Sequence, residues 1–241
     1  MQVIPVHISN EIEVNDDLAE LILSSQEIKE GDILVIAQKI ISKQEGRTME
    51  LSKIEPSLLA QGIASQYHKD PRIVELILSE SKKIVRMQNG VIIVETNHGF
   101  ICANAGIDES NVKDGFVTLL PVDSDLSAKK IRDGILNKTR KNIAVVVSDT
   151  FGRPFRNGQT NCAIGLSGIT PILDYAGTQD AFGNILRVTA IAISDEIAST
   201  AELVMGKNNK CPVAIIRDYK FSNESENISE IIRPENEDLF R

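Results

Sequence analysis

Two short segments gather side chains that could do chemistry. In NAGIDESN (residues 104–111), Asn104, Asp108, Glu109 and Asn111 crowd oxygen donors around Gly106. Hard oxygens of this kind suit a magnesium or manganese ion, and an Asx-rich turn would use the same residue types. In SDTFGRPFRNGQTN (148–161), Asp149 stands at the end of an apolar run, Thr150 adds a hydroxyl, and Arg153 and Arg156 bring fork-shaped donors matched to phosphate or carboxylate. A turn there needs Gly152, Pro154 and Gly158, but it needs neither an acid, a hydroxyl nor two arginines. Together the segments describe a physical hypothesis. Asp108 and Asp149 hold one or two divalent cations, the cations bridge a nucleotide polyphosphate, and arginines or lysines neutralise the remaining charge, which is a setting for phosphoryl transfer.

Several common chemistries are missing. There is no G-x-x-x-x-G-K-[ST], no G-x-G-x-x-G and no H-E-x-x-H, and His7, His68 and His98 are scattered. Cys102, Cys162 and Cys211 are odd in number and far apart, which points away from a disulfide framework or zinc knuckle and toward a reducing compartment. Aromatic residues make up 4% with no Trp, leaving little ring surface for stacking unpaired bases. The formal charge of −8 disfavours nucleic acid as a partner. That charge is unevenly spread: residues 222–241 carry six acids against two bases, whereas residues 127–160 carry eight bases against two acids. The basic stretch can attract anions, or it can be a solvated helix face. The N-terminus lacks the plan of a signal peptide and no apolar run approaches a membrane span, so a cytoplasmic protein without membrane contact is expected.

The elements that must position these groups follow from periodicity. Residues 3–7 read as a strand and LAELILSS as an amphipathic helix with an acidic start. ILVIA (33–37) is short and β-branched, a buried strand that delivers Gln38, Lys39, Ser42 and Lys43 at or beyond its end. Residues 56–67 and 71–83 each set Pro at a first helical position and predict two structural helices. Asn89-Gly90 between residues 85–88 and 91–96 predicts a type I′ hairpin. Strands are expected at 100–103, 116–120, 144–149, 188–193 and 213–216, a helix at 125–137, and a helix at 195–205 capped by Ser194 and ended by Gly206. The polar tail beyond Ser222 is expected to be mobile at its end.

Five segments carry a resemblance over most of the chain: IPVHISNEIEVNDDLAELI, GDILVIAQKIISKQEGR, NHGFICANAGIDESNV, VVVSDTFGRPFRNGQTNCAIG and SDEIASTAELVMGK. In this order they resemble the coenzyme F420-0:L-glutamate ligases, also called F420 gamma-glutamyl ligases. The resemblance implies a ligase that uses GTP as co-substrate to add L-glutamate to the precursor F420-0, then further gamma-linked glutamate, through an acyl phosphate. It implies two Mg2+ or Mn2+ ions, with K+ as a further cation. Metal would lie on Asp108, Asp149 and Thr150, and the SDTFGRPFRNGQTN segment itself singles out Asp149, Arg153 and Arg156 as the catalytic set. Nucleotide would lie on Ser9, Asn10, Glu11, Ile12, Gln38, Lys39, Lys43, Asn111, Gly206 and Lys207. Lys207 stands where Gln is expected, and SNEI replaces a more apolar early loop. The implied fold is α+β, with mixed, partly antiparallel sheets and helices in two intertwined lobes, forming a homodimer. Residues 1–221 would be one catalytic unit and 222–241 an acidic tail. Two rivals stand beside it: a GTP-binding regulatory module without turnover, and a flavin or deazaflavin reductase.

Overall fold

The run ILVIA becomes the strand β2 (Ile33–Ala37), and its lack of polar alternation has a simple cause: both of its faces are covered. A computed structural model describes residues 1–239. In it, β2 sits third in a five-stranded sheet of order β1 (Gln2–Val6), β12 (Val213–Arg217), β2, β8 (Ala144–Arg153), β9 (Arg156–Ser167). β2 and β8 run parallel and the other neighbours antiparallel. Leu34 and Ile36 point to one face, against Ala19 and Ile22 of helix α1 (Leu18–Ser25) and Ala128, Ile131 and Ile135 of helix α5 (Ser124–Thr139). Ile33 and Val35 point to the other, against Ile197, Ala198 and Ala201 of helix α6 (Ile193–Met205).

Helix α2 (Gln38–Gln44) begins on the residue after β2, with no loop between them. Beyond it lies a smaller unit. Strands β4 (Ser81–Gln88), β5 (Val91–Thr96) and β6 (Ile101–Ala103) form an antiparallel sheet, and helices α3 (Leu58–Tyr67) and α4 (Pro71–Ser79) pack on it through Ala60, Ile63, Val74 and Ile77. Two further ribbons pair β3 (Thr48–Glu50) with β7 (Phe116–Thr118), and β10 (Leu173–Asp174) with β11 (Ala190–Ile191). The fold is thus α+β with mixed sheets, and among the described residues no helix is long and apolar enough to cross a membrane.

The β4–β5 turn is built as expected, with Asn89 at φ 51° and Gly90 at φ 77°. Other expectations need correction. The helix expected at 71–83 ends at Ser79, because residues from Ser81 onward pair with β5, where cross-strand bonding outweighs helical spacing. Pro56 lies outside its helix, where Ser57 is the cap and accepts from the Ala60 N–H at 3.2 Å. The strand expected at 188–193 shrinks to Ala190–Ile191, and Val188 is 92% exposed. Ser194 is not the cap of α6. It lies inside the first turn, and its hydroxyl donates to the Pro171 carbonyl at 3.3 Å.

The largest correction concerns residues 148–161. Asp149 is not at a strand end: β8 continues to Arg153, turns at Pro154 and Phe155, and returns as β9, so the expected loop is a long hairpin. The register slips by one residue between Val147 and Ser148. The extra residue, Ile164, lies on β9, and a bulge of this kind bends its own strand and re-aims the neighbouring side chains there, toward Cys162 and Asn161.

Beyond Ser222 the chain runs back over the molecule. Ile228 and Ile232 pack against the core, Glu226 lies 3.7 Å from Arg132, and Glu235 lies 2.6 Å from Lys83. The extreme end expected to be mobile, residues 240–241, lies outside the described residues.

Candidate active site

Three elements meet near Asp149. The first is the β2–α2 junction, whose abrupt switch from strand to helix sets Lys39 in the first turn of α2. The Lys39 ammonium spends all three of its protons on one loop: Asp108 Oδ2 at 2.6 Å, the Ser110 carbonyl at 2.8 Å and Ser110 Oγ at 2.6 Å. Asp108 itself is fixed by a bridge to Thr118, and its Oδ1 accepts from the Ser110 N–H at 2.7 Å. Burial pushes the Asp108 carboxyl up, but the Lys39 ammonium and the Ser110 N–H outweigh it and hold the group below the usual carboxylate range.

The second element is β8. Burial pushes the Asp149 carboxyl up to about 6, and the negative charge of Asp108 adds to this, against the Thr150 N–H and the ammoniums of Lys207 and Lys39. The two carboxylates, both only partly exposed, thus act on one another with their proton affinities pushed in opposite directions. Thr150 Oγ1 donates to Asn161 Oδ1 at 2.7 Å across the hairpin and accepts from Lys207 Nζ at 2.7 Å.

The third element is α6, whose residues Asp195, Ser199 and Glu202 share one face at spacings of four and three. All three read β9. Asp195 Oδ1 accepts from the Ala163 N–H at 2.8 Å, Ser199 Oγ donates to the Asn161 carbonyl at 2.8 Å, and Glu202 Oε2 accepts from Asn161 Nδ2 at 3.0 Å. Gly206 ends the helix at φ 59°, ψ −168°, a region open essentially only to glycine, and this turn returns Lys207 to within 3.1 Å of Glu202 Oε1.

The structure therefore brings Asp108, Asp149, Thr150, Lys39 and Lys207 together. Gly206 contributes backbone shape. Lys43 forms an ion pair with Glu11, which ties the early loop to α2. In that loop Ser9 and Asn10 are exposed and Ile12 is buried. Gln38 is buried and its Oε1 accepts from Ser42 Oγ at 2.7 Å inside its own helix. Asn111 is exposed at φ 54°. Arg153 and Arg156 face one another at the hairpin tip, four residues or about 13 Å along the strand from Asp149. There Arg153 Nη2 donates to the Asn157 carbonyl at 3.0 Å. The basic helix has structural partners: Lys129 with Asp133 at 2.8 Å, Lys138 with Glu20 at 2.7 Å, and Arg132 with the Ile143 carbonyl at 2.9 Å.

Ser110, Asn161 and Glu202 were missed from the sequence. Asn161 is legible only once the hairpin is drawn, since Thr150 then faces it directly. Glu202 follows from the helical spacing to Asp195. Cysteine chemistry finds no support: burial pushes the Cys102 thiol up to about 12 and the Cys162 thiol up to about 11, disfavouring the reactive thiolate.

What such a site can do is hold a cation among hard oxygens beside two ammoniums, a setting suited to a polyphosphate. Comparison with known proteins identifies the family. Residues 8–218 match the model of a family described as F420-0:Gamma-glutamyl ligase. A "Coenzyme F420:L-glutamate ligase" from Methanothermobacter thermautotrophicus is 45% identical over 234 residues, covering 94% of this chain and 93% of that protein. Proteins of the same name from Methanocaldococcus jannaschii and Methanopyrus kandleri are 46% and 42% identical, covering 93% and 100% of this chain and 90% and 98% of theirs. The match spans all three elements of the site, and the chain belongs to the F420-0:gamma-glutamyl ligase family.

Proposed function

We propose that this chain is a GTP-dependent ligase that adds L-glutamate to F420-0 and then further gamma-linked glutamate. The family supports glutamate ligation as the reaction class. The observation that carries the mechanistic reading is the opposed carboxylate pair, Asp108 and Asp149, flanked by Lys39 and Lys207.

The donor set fits Mg2+ or Mn2+. Two carboxylates and the Thr150 hydroxyl are hard oxygens, and divalent cations of this kind complete their shell with water and substrate phosphates. Burial first, and the Asp108 charge second, raise the proton affinity of Asp149, and a bound cation would offset both. When bound, the metal would supply charge neutralisation at the phosphates and orient the γ-phosphate. K+ is proposed as a further cation, without a seat assigned to it.

The rest falls to the chain's own residues. Lys39 swings from its carboxylate partner toward a phosphate oxygen, as a flexible point charge can, while Lys207 stays on its oxygens and adds fixed positive charge beside the phosphates. A carboxylate oxygen of F420-0 attacks the γ-phosphorus, the bond from phosphorus to the GDP oxygen breaks, and an acyl phosphate forms. The glutamate amine then attacks the acyl carbon, loses a proton, and expels phosphate to leave an amide. Arg153 and Arg156, at the hairpin tip, would receive an anionic part of substrate remote from the metal.

Residues 1–221 would act as one catalytic unit with the acidic tail 222–241 appended, and the active species would be a homodimer. Supporting the dimer, the excursion between β10 and β11 exposes Phe182, Ile185 and Val188. GDP release tests the ligase reading. It is expected to require GTP, manganese, L-glutamate and F420-0 together. GTP binding with no GDP release in the complete mixture would replace the ligase with a non-catalytic GTP-binding module.

A further inference from the structure

The Lys207 ammonium is held in an unusual way for a side chain that is 61% exposed. Its tip meets three oxygens: Thr150 Oγ1 at 2.7 Å, Glu202 Oε1 at 3.1 Å and Asn161 Oδ1 at 3.3 Å. These come from β8, α6 and β9, so all three donors of the ammonium are used on three separate elements. The oxygens are themselves oriented. Asn161 Nδ2 is spent on Glu202 Oε2 at 3.0 Å, which turns Asn161 Oδ1 toward the ammonium, and Thr150 donates its proton to that same oxygen, leaving a lone pair free for Lys207. A carboxylate, an amide carbonyl and a hydroxyl arranged so that only acceptors face inward are the donor set of a hard cation.

Lys39 gives a contrast. It is attached to Asp108 and Ser110 rather than to Thr150, and its side chain is mostly buried. Asp108, Asp149 and Glu202 bring three negative charges and the two lysines bring two positive ones, so these five groups are balanced to within one charge. A single divalent cation at Asp108 and Asp149 then suffices to turn it positive for a polyphosphate.

We propose that the Lys207 ammonium is a tethered cation occupying the seat of Thr150, Asn161 and Glu202, so that this chain binds one divalent cation at Asp108 and Asp149 where two would otherwise bind. The inference rests on the metal-dependent reading of the site and revises its metal count. Lys207 is thereby a positioning residue, delivering fixed charge to the seat through its side chain.

The test counts Mn2+ bound per chain, by calorimetry and by electron paramagnetic resonance of free Mn2+, with and without a non-hydrolysable GTP analogue. Wild type is expected to bind one and Lys207→Gln to bind two, with the second lost again when Glu202→Gln is added to Lys207→Gln. Equal counts in wild type and Lys207→Gln, whether one or two, would overturn the proposal, as would a second Mn2+ that survives Glu202→Gln. Lys207 follows the end of α6 and is exposed, and a thermal melt checks that each variant is folded. A wild type that binds one Mn2+ but performs no ligation would sink the ligase reading and leave the cation count standing.

Discussion

Asp149 bears the sharpest conflict in the molecule, because burial and the Asp108 charge both resist its ionisation while the proposed chemistry needs it ionised. Asp149→Asn removes the conflict and the ligand together. The variant is expected to melt no lower than wild type and to lose ligation by at least about a hundredfold, as when a preorganised charge-stabilising group is deleted. Ligation near the wild-type rate would remove Asp149 from the metal site. Asp195 shows the same burial effect in a structural role. Burial first, and the neighbouring Glu196 charge second, raise its carboxyl above the usual range, while the Ala163 N–H pulls it down. A raised folded-state value means that stability is present at low pH and is lost as pH rises through that value. Asn keeps an oxygen for the Ala163 N–H and carries no charge. Asp195→Asn should therefore gain in melting temperature relative to wild type between pH 3 and pH 7, and a gap that stays constant or narrows contradicts this.

Elements position the site by close approach and by register. The start of α5 crosses β9 at Gly165, where a Cβ would stand 2.4 Å from Ser124 Cβ and 2.5 Å from the Ser124 carbonyl carbon. Gly165→Ala must push α5 away or bend β9. The expected cost is about 1–3 kcal/mol, read as a lower denaturant midpoint with an unchanged slope; an unchanged midpoint would show that the crossing is looser than drawn. Elements were legible in the sequence where burial decided them. β2 matches ILVIA to the residue, since two covered faces demand an uninterrupted apolar run. The β8–β9 hairpin was illegible because TFGR and RNGQTN are polar on both faces, and only pairing with each other makes them strands. The α4–β4 boundary failed for a related reason: SKK continues a helical pattern locally, and the partner that claims it, β5, lies beyond a turn.

At the scale of the whole molecule, the site's parts were visible separately and their meeting was not. Asp108 and Asp149 stood out by residue type, but Lys39 is 69 positions from Asp108 and Glu202 is 41 from Asn161, and only the sheet order β2-β8-β9 with α6 above it brings them together. Arg153 and Arg156 read as neighbours of Asp149 in the sequence and are separated from it by the length of the hairpin. Association is argued at this scale too. Phe182 and Val188, each 92% exposed, form the apolar tip of the β10–β11 excursion. Introducing Phe182→Glu with Val188→Glu is expected to turn a sedimenting dimer into a monomer without lowering secondary-structure content. A monomeric wild type, or a variant that remains dimeric, would move the interface elsewhere or abolish it.

The central claim is tested most directly by the mass of the product. Wild type incubated with GTP, Mn2+, L-glutamate and F420-0 is expected to yield F420-0 heavier by one glutamyl residue, then by further ones, with GDP formed for each and no product when GTP or metal is omitted. An unchanged F420-0 mass in the complete mixture, or glutamate addition that proceeds without GTP, would contradict it.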